Sequence, residues 1–481
     1  MLHSHPASSA PDAPSASPCH GIPDLRAGRL APGAYEQRFG DAVQPFTHAQ
    51  AVIEAERCLY CFDAPCMQAC PTGIDVPTFI HRIADGNVRG AARAILESNP
   101  LGGMCARVCP TEELCEAVCV RTTQQGKPVE IGRLQRHAVE AVMTEGSAPM
   151  FQRAASTGRR VAVVGAGPAG LACAHTLALQ GHEVTMFDAN PKAGGLNEYG
   201  LASYKTAGGF AQREVEWLMS IGGITVTTDW RLSSAAQLEA LRRDHDAVFL
   251  GLGLGGVNRL DVPGEDLDGV VDAVEFIAAL RQSPDLSTLP VGRRVVVIGG
   301  GMTAVDAAVQ ARLLGASEVS IVYRRGAEAM SASAHEQAWA QTNGVTLRHW
   351  LAPVELLAHD ATPHVRAIKL AHQRVENGRL VATGGHEEVP VDMVLKAIGQ
   401  RFEDAAWVGD SGLALQQGRL AVDERGRTSL PGVWAGGDCR AGGLDLTVAS
   451  VEDGKQAALS IHAMLSARQR EAPAGEDLAT V

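Results

Sequence analysis

The chain has no apolar run approaching the roughly 18 residues that a membrane-spanning helix needs. A surplus of positive charge is missing as well: 42 Lys and Arg stand against 54 Asp and Glu, for a formal net charge of -12. That balance disfavours non-specific nucleic-acid binding and leaves no polybasic patch for an anionic membrane. The first 45 residues lack the apolar core of a secretory signal; with Pro6, Ser8, Ser9 and Pro11 they predict a flexible tail over residues 1–45. These absences point to a cytoplasmic protein with neither a membrane nor a nucleic acid as partner. At 481 residues, 46% of them hydrophobic and 20% charged, the chain has an ordinary globular composition and room for about three domains.

What is present in excess is cysteine in one place. Eight of the eleven cysteines fall between residues 58 and 119. They are Cys58, Cys61, Cys66 and Cys70, followed by Pro71, and then Cys105, Cys109 (before Pro110), Cys115 and Cys119. Soft thiolates clustered ahead of proline suit iron–sulfur cubes, and the last cysteine of such a run often ligates the other cluster. The spacing therefore predicts two interleaved 4Fe-4S centres. Closely paired cysteines also build zinc ribbons, but two Cys-Pro steps and the Cys61 to Cys70 spacing suit cubes better. Disulfides need an oxidising compartment to which nothing directs the chain. Cys19 in the tail reads as a free thiol. Asp75 ahead of Pro77 predicts a helix start, Phe79, Ile80 and Ile83 share its apolar face, and a second helix runs from about 88 to 97. Residues 46–150 are thus expected to form a small helical domain whose loops carry the cluster ligands.

At Arg160 the pattern changes to that of an α/β protein. The strand 161–164 leads into Gly165, Gly167 and Gly170 in Gly-x-Gly-x-x-Gly spacing, an apolar helix, and a strand 183–187 ending at Asp188. Glycines let the backbone approach a pyrophosphate at the helix N-terminus, and the acid is placed to accept from ribose hydroxyls. The same unit returns with the strand 295–298, Gly299, Gly301, Thr303 and Ala304, and a strand 319–323. This one ends in Arg324 and Arg325, which suit a 2′-phosphate. The pair suggests FAD in the first unit and NADPH in the second. A strand 432–435 then runs into Gly437 and Asp438 before a helix near 447–459, a return to the first domain. The expected order is a first FAD-binding segment at 151–286, an inserted NAD(P)H-binding domain at 287–400, a second FAD-binding segment at 401–467, and a polar tail at 468–481. Asp438 is a candidate acceptor from the flavin's ribityl chain.

These motifs together resemble the NAD(P)H/FAD/iron–sulfur half of dihydropyrimidine dehydrogenase, which bacteria make as a separate subunit; they are also similar to the small subunit of glutamate synthase. Both show a helical double-cluster domain ahead of two glutathione-reductase-like Rossmann domains, the second inserted in the first. Beyond the cysteines, the resemblance is carried by Asp63-Ala64-Pro65-Cys66, Ala106-Arg107-Val108-Cys109-Pro110-Thr111, Ile131-Gly132-Arg133-Leu134-Gln135, Gly194-Gly195-Leu196, Thr303-Ala304-Val305-Asp306 and Gly436-Gly437-Asp438. It implies that Cys58, Cys61, Cys66 and Cys119 hold one cluster and that Cys70, Cys109, Cys115 and Gln135 hold the other. Counting thiols alone, Cys105 would be the eighth ligand; the resemblance makes it a small packed residue. Gln135, where glutamate synthase subunits commonly have Glu, favours the pyrimidine enzyme.

The resemblance further implies that Gly195 and Leu196 contact FAD and that Lys205, Asp306 and Asp438 take part in catalysis. Lys205 keeps a cation where the family has Arg, although the family's neighbouring proline is missing. The family's third basic contact to a 2′-phosphate falls on Ser331, and some bacterial members use NADH. No FMN-binding barrel and no amidotransferase domain follow, so an FMN-containing dihydropyrimidine dehydrogenase subunit is expected to hold the uracil or thymine. A free-standing disulfide reductase would need a cysteine pair beside the flavin, whereas Cys173 and Cys439 stand singly.

Overall fold

The computed structural model describes residues 30–143, 149–403 and 405–471. Helices built on short apolar stripes come first. Thr47 caps the helix His48–Ala55 with its side chain and pairs reciprocally with Gln50. Asp75 accepts from the Thr78 amide at the start of Val76–Ala84, as its position before Pro77 predicts. These two helices pack with Val88–Ser98 and Ile131–Val142 around Phe79, Ile80, Ile83, Ile95, Leu134 and Val139, all buried. Burying each large side chain is worth about 1.5–3 kcal/mol. Five cysteines, Cys58, Cys66, Cys70, Cys115 and Cys119, border this small core.

Two parallel five-stranded sheets follow, each with a β-branched central strand buried along all but its first residue, Arg160–Val164 in one and Arg294–Ile298 in the other. The first has the order Val433–Ala435, Ala247–Leu250, Arg160–Val164, Glu183–Phe187, Ile224–Thr227. The second has the order Val270–Asp272, Met393–Lys396, Arg294–Ile298, Glu318–Tyr323, Val345–His349. Since the chain leaves the first sheet after Leu250 and rejoins it at Val433, the second unit is inserted in the first. An antiparallel sheet of Leu351–His359, Thr362–Glu376 and Arg379–Pro390 precedes the return. Where the chain crosses between units, Gly256–Val257 pairs with Gln400–Arg401.

Three expected boundaries move. The strand Val270–Asp272 and the helix Ala273–Gln282 lie with the second sheet, so that unit starts before residue 287. Residues 30–45 are not a flexible tail. Pro32–Arg38 is a helix that seats Tyr35 and Phe39, four positions apart on one face, among Phe276, Ile277 and Leu280. Asp41 then pairs with the buried Arg136 of the cluster domain. The last helix, Thr447–Glu471, runs past the expected end at 467. Cys19, the rest of the predicted N-terminal tail and residues 472–481 lie outside the described residues.

Candidate functional site

A cleft of about 1060 Å³ runs between the two sheets' carboxyl ends. Gly165, Gly167, Asp188, Gly195 and Leu196 line its first half. A Cβ on Gly165, at φ +97°, would come within 2.1 Å of the Gly251 carbonyl oxygen, and one on Gly195, at φ +54°, within 2.6 Å of the Gly167 Cα. Only bare backbone fits there, which leaves room for a pyrophosphate against the N-terminus of the helix Pro168–Leu179. Asp188, nearly buried, accepts from the Ala166 amide at 2.6 Å and from the Asn190 amide at 2.8 Å. The residue itself lines the cleft, and a carboxylate has lone pairs beyond these bonds with which to accept. Gly170 does not line the cleft: a Cβ there would sit 1.8 Å from the Gly165 carbonyl oxygen, so it serves helix-on-loop packing.

Gly299, Gly301, Thr303, Asp306 and Arg324 line the other half, with Ser331 beside them. Ala304, fully buried, packs inward, as Gly170 does in the first unit. Arg325 lies off the cleft, and its carbonyl accepts from the Trp350 amide. The structure therefore separates the arginine pair that the sequence motif presents as one.

Gly437 and Asp438, just after the returning strand, and Thr447 and Ser450, in the first turn of the last helix, close the first half. The Ser450 hydroxyl donates to Asp438 at 3.2 Å. Burial, and then the charge of Asp445, push the Asp438 carboxyl up to about 6.

Lys205 reaches the cleft from the loop after Leu196. Its Nζ lies 2.9 Å from Asp306 and 2.7 Å from Glu336, and all three side chains are largely buried. Burial alone would pull the ammonium down, but the two carboxylates more than offset this and hold it above its ordinary value. Asp306 also accepts from the Tyr204 hydroxyl and the Ala202 amide. Glu336 and Arg281 were not legible in the sequence. Arg281, on the helix Ala273–Gln282, bonds to the carbonyls of Asn197, Glu198 and Leu201 and to the Thr206 hydroxyl. It thereby fixes the loop whose backbone lacks the expected proline.

The thiols gather in two sets. Cys58, Cys61, Cys66 and Cys119 line one cavity under Ile80, Val129 and Ile131. Burial first, and then Cys58 and Cys119, push the Cys66 thiol up to about 11. In the second set, Cys105 and then burial hold Cys109 well above the usual thiol range, with Cys115 and Cys70 adding to it. Cys105 is itself buried, four residues before Cys109 on the helix Gly102–Val108. Such thiols become thiolates only when a cation compensates them. Among the described residues no three Cys, His, Asp or Glu side chains converge on a point that would hold a single ion. Four sulfurs ringing a cavity suit a polynuclear cluster better than a tetrahedral ion with about 2.3 Å bonds. Gln135 is buried and donates its Nε2 to the Gly102 carbonyl at 2.7 Å, which leaves Oε1 as its acceptor end.

The two halves of the molecule meet at the cysteines. Val108 lines the nucleotide cleft, and the next residue is Cys109. A family model for pyridine nucleotide-disulphide oxidoreductases matches residues 159–454. The chain belongs to that family. A second model, dihydropyrimidine dehydrogenase domain II with its 4Fe-4S cluster, matches residues 35–147. This pyridine nucleotide-disulphide oxidoreductase is thus an NAD(P)H-dependent flavin and iron–sulfur enzyme, with FAD, NAD(P)H and 4Fe-4S as its cofactors. It is 33% identical over 431 residues to the NAD-dependent dihydropyrimidine dehydrogenase subunit PreT of Escherichia coli (strain K12), covering 89% of this chain and 97% of that one. It is 32% identical over 440 residues to the glutamate synthase [NADPH] small chain of Halomonas elongata, covering 88% and 92%. FprA of Mycobacterium tuberculosis, solved with NADPH, shares the fold over 65% of this chain and 86% of its own, with a TM-score of 0.54 at 21% identity. No helix among the described residues is long and apolar enough to cross a membrane.

Proposed function

We propose that this chain is the electron-input subunit of an NAD(P)-dependent dihydropyrimidine dehydrogenase, working in the cytoplasm in pyrimidine degradation. A partner subunit that contains FMN reduces uracil or thymine. The observation that carries the reading is the junction of Val108 and Cys109: a wall of the nucleotide cleft is one residue, about 3.8 Å between Cα atoms, from a thiol of the second set. Gln135 favours the pyrimidine enzyme over glutamate synthase, whose small chain remains the second reading at equal similarity.

Bound flavin supplies a two-electron acceptor for the nicotinamide hydride and a one-electron donor to the clusters. The chain's own residues do the rest. Gly165, Gly167 and Gly195 offer backbone to the flavin's pyrophosphate, and Asp188 accepts from its ribose. Leu196 and Gly437 shape the pocket, and Asp438, steadied by Ser450, accepts from the ribityl chain. Gly299, Gly301 and Thr303 bind the nicotinamide dinucleotide, with Arg324 on a 2′-phosphate. Asp306 and Glu336 hold Lys205 charged and stationary at the cleft. Cys58, Cys61, Cys66 and Cys119 hold one cluster; Cys70, Cys109, Cys115 and Gln135 hold the second.

The test is reconstitution. With NAD(P)H the purified chain should reduce ferricyanide and leave uracil untouched, and uracil should be consumed once an FMN-containing dihydropyrimidine dehydrogenase subunit is added. Uracil reduction by the chain alone would overturn the reading. Coupling to a glutamate synthase large subunit in preference would replace it with the second one.

A further inference from the structure

The first thiol set lies under an unusual surface. Phe62 is fully exposed (105%), and it sits between Cys61 and the buried Ala64. Leu59 (43%), Tyr60 (39%) and Val118 (42%) are exposed beside Cys58 and Cys119. Four large apolar side chains thus stand on the segments that supply three of the four thiols lining one cavity. Soluble proteins scatter single apolar residues over their surfaces, whereas a concentration at one site marks contact with another macromolecule. Tyr60 takes a left-handed backbone conformation (φ +51°), and its ring packs edge-on against His81, which pairs with Asp85.

The rim of this patch is acidic. Glu56, Asp63 and Asp85 are exposed, and Glu56 and Asp85 bear electrostatically on Tyr60. The nearby cations are committed elsewhere. Arg57 points to Glu54 and to the carbonyls of Lys127 and Pro128, and Arg121 donates to the Arg57 carbonyl. The second thiol set, by contrast, abuts the nucleotide cleft through Val108. The second thiol set therefore abuts the nucleotide cleft, and the first lies beside a solvent-exposed, aromatic, acid-rimmed surface.

We infer that the surface of Leu59, Tyr60, Phe62 and Val118 is the docking face for a one-electron-accepting protein that presents an apolar centre and a basic rim. The inference rests on the cluster reading proposed above. Across this face one electron leaves the cluster held by Cys58, Cys61, Cys66 and Cys119, and the partner's carrier is reduced by one electron. No bond is made or broken. Desolvated aromatics supply affinity, and the acidic rim supplies orientation and association rate.

Cytochrome c, a basic one-electron acceptor, serves as a probe that does not presuppose the proposed partner. Phe62→Asp and the double variant Glu56→Lys/Asp63→Lys should each lower the measured affinity for cytochrome c at low salt by about tenfold or more, and the reduction rate with it. Ferricyanide reduction and the electron paramagnetic resonance of both clusters should match the parent. The double variant should also lose the parent's salt dependence. Affinity and rate within twofold of the parent in both variants would overturn the docking face. Should Phe62→Asp perturb the clusters, the rim variant decides alone. The FMN-containing subunit, titrated in parallel, separates the two readings. If it fails to bind the parent while cytochrome c remains Phe62-dependent, the proposed partner falls and the face stands. If it couples to parent and variants alike, the face falls and the partner stands.

Discussion

Arg324 and Arg325 show how far a single residue's role depends on where the backbone turns. Arg324 lines the cleft beside Ser331, whereas Arg325 is not among the residues that line it. A charge-assisted bond to a 2′-phosphate contributes about 1.5–3 kcal/mol, so Arg324→Ala should weaken NADPH binding by roughly tenfold or more. Arg325→Ala should change it little, and neither should alter NADH binding; fluorescence titration with both dinucleotides measures all four cases. A loss shared by both dinucleotides would make Arg324 a framework residue only. Lys205 carries a related lesson. Its charge was legible from the family's Arg at that position, but Glu336, its second partner, lies 131 residues away, and nothing local to either residue announces the pair. Likewise Gly170 and Ala304 read as binding residues because their motif includes them, yet both serve packing.

Among the elements, the short helix Gly102–Val108 is joined to Phe210–Met219 by Glu214, which accepts from the amides of Gly103 and Met104. Arg107, stacked 3.5 Å from the Phe210 ring centroid, stands close by. Burial outweighs both donors and pushes Glu214 up to about 8 from its ordinary 4.5. The folded protein then binds this proton more tightly than the unfolded chain does. Stability must fall as pH rises from about 4.5 to 8, by at most on the order of 5 kcal/mol, and the loss is complete above 8. Glu214→Gln keeps the acceptor and removes the titration, so its melting temperature should gain on the parent's through that window; parallel curves would refute the assignment. Strands such as Arg160–Val164 and Arg294–Ile298 were legible because apolar β-branched runs ending in glycine turns are local signals. Val270–Asp272 was not, since three residues carry no periodicity and their pairing with Met393–Lys396 is made across more than a hundred residues of chain. The helix Pro32–Arg38 was hidden for the same reason: its buried aromatic anchors, Tyr35 and, just past its end, Phe39, find their partners in a distant domain.

Taken whole, the molecule lines up a nucleotide cleft, two thiol sets and an exposed face. Two 4Fe-4S centres per chain call for about eight iron and eight acid-labile sulfide, and analysis of the purified brown protein should return both alongside one FAD. Half that iron would mean that one of the two sets stays empty. The strap formed by residues 32–44 bears on how this line is kept. The inserted domain is joined to the flavin half by two adjacent crossings, Gly256–Val257 and Gln400–Arg401, and two adjacent crossings define an axle about which one body can swing. Tyr35 and Phe39 bolt the same domain at a point far along the chain from that axle, while Asp41 and Val43 fasten the strap to Arg136 of the cysteine domain. A door held on its hinge and tied to a second frame is restrained twice, so deleting residues 32–44 should loosen the inserted domain's hold on the cysteine domain.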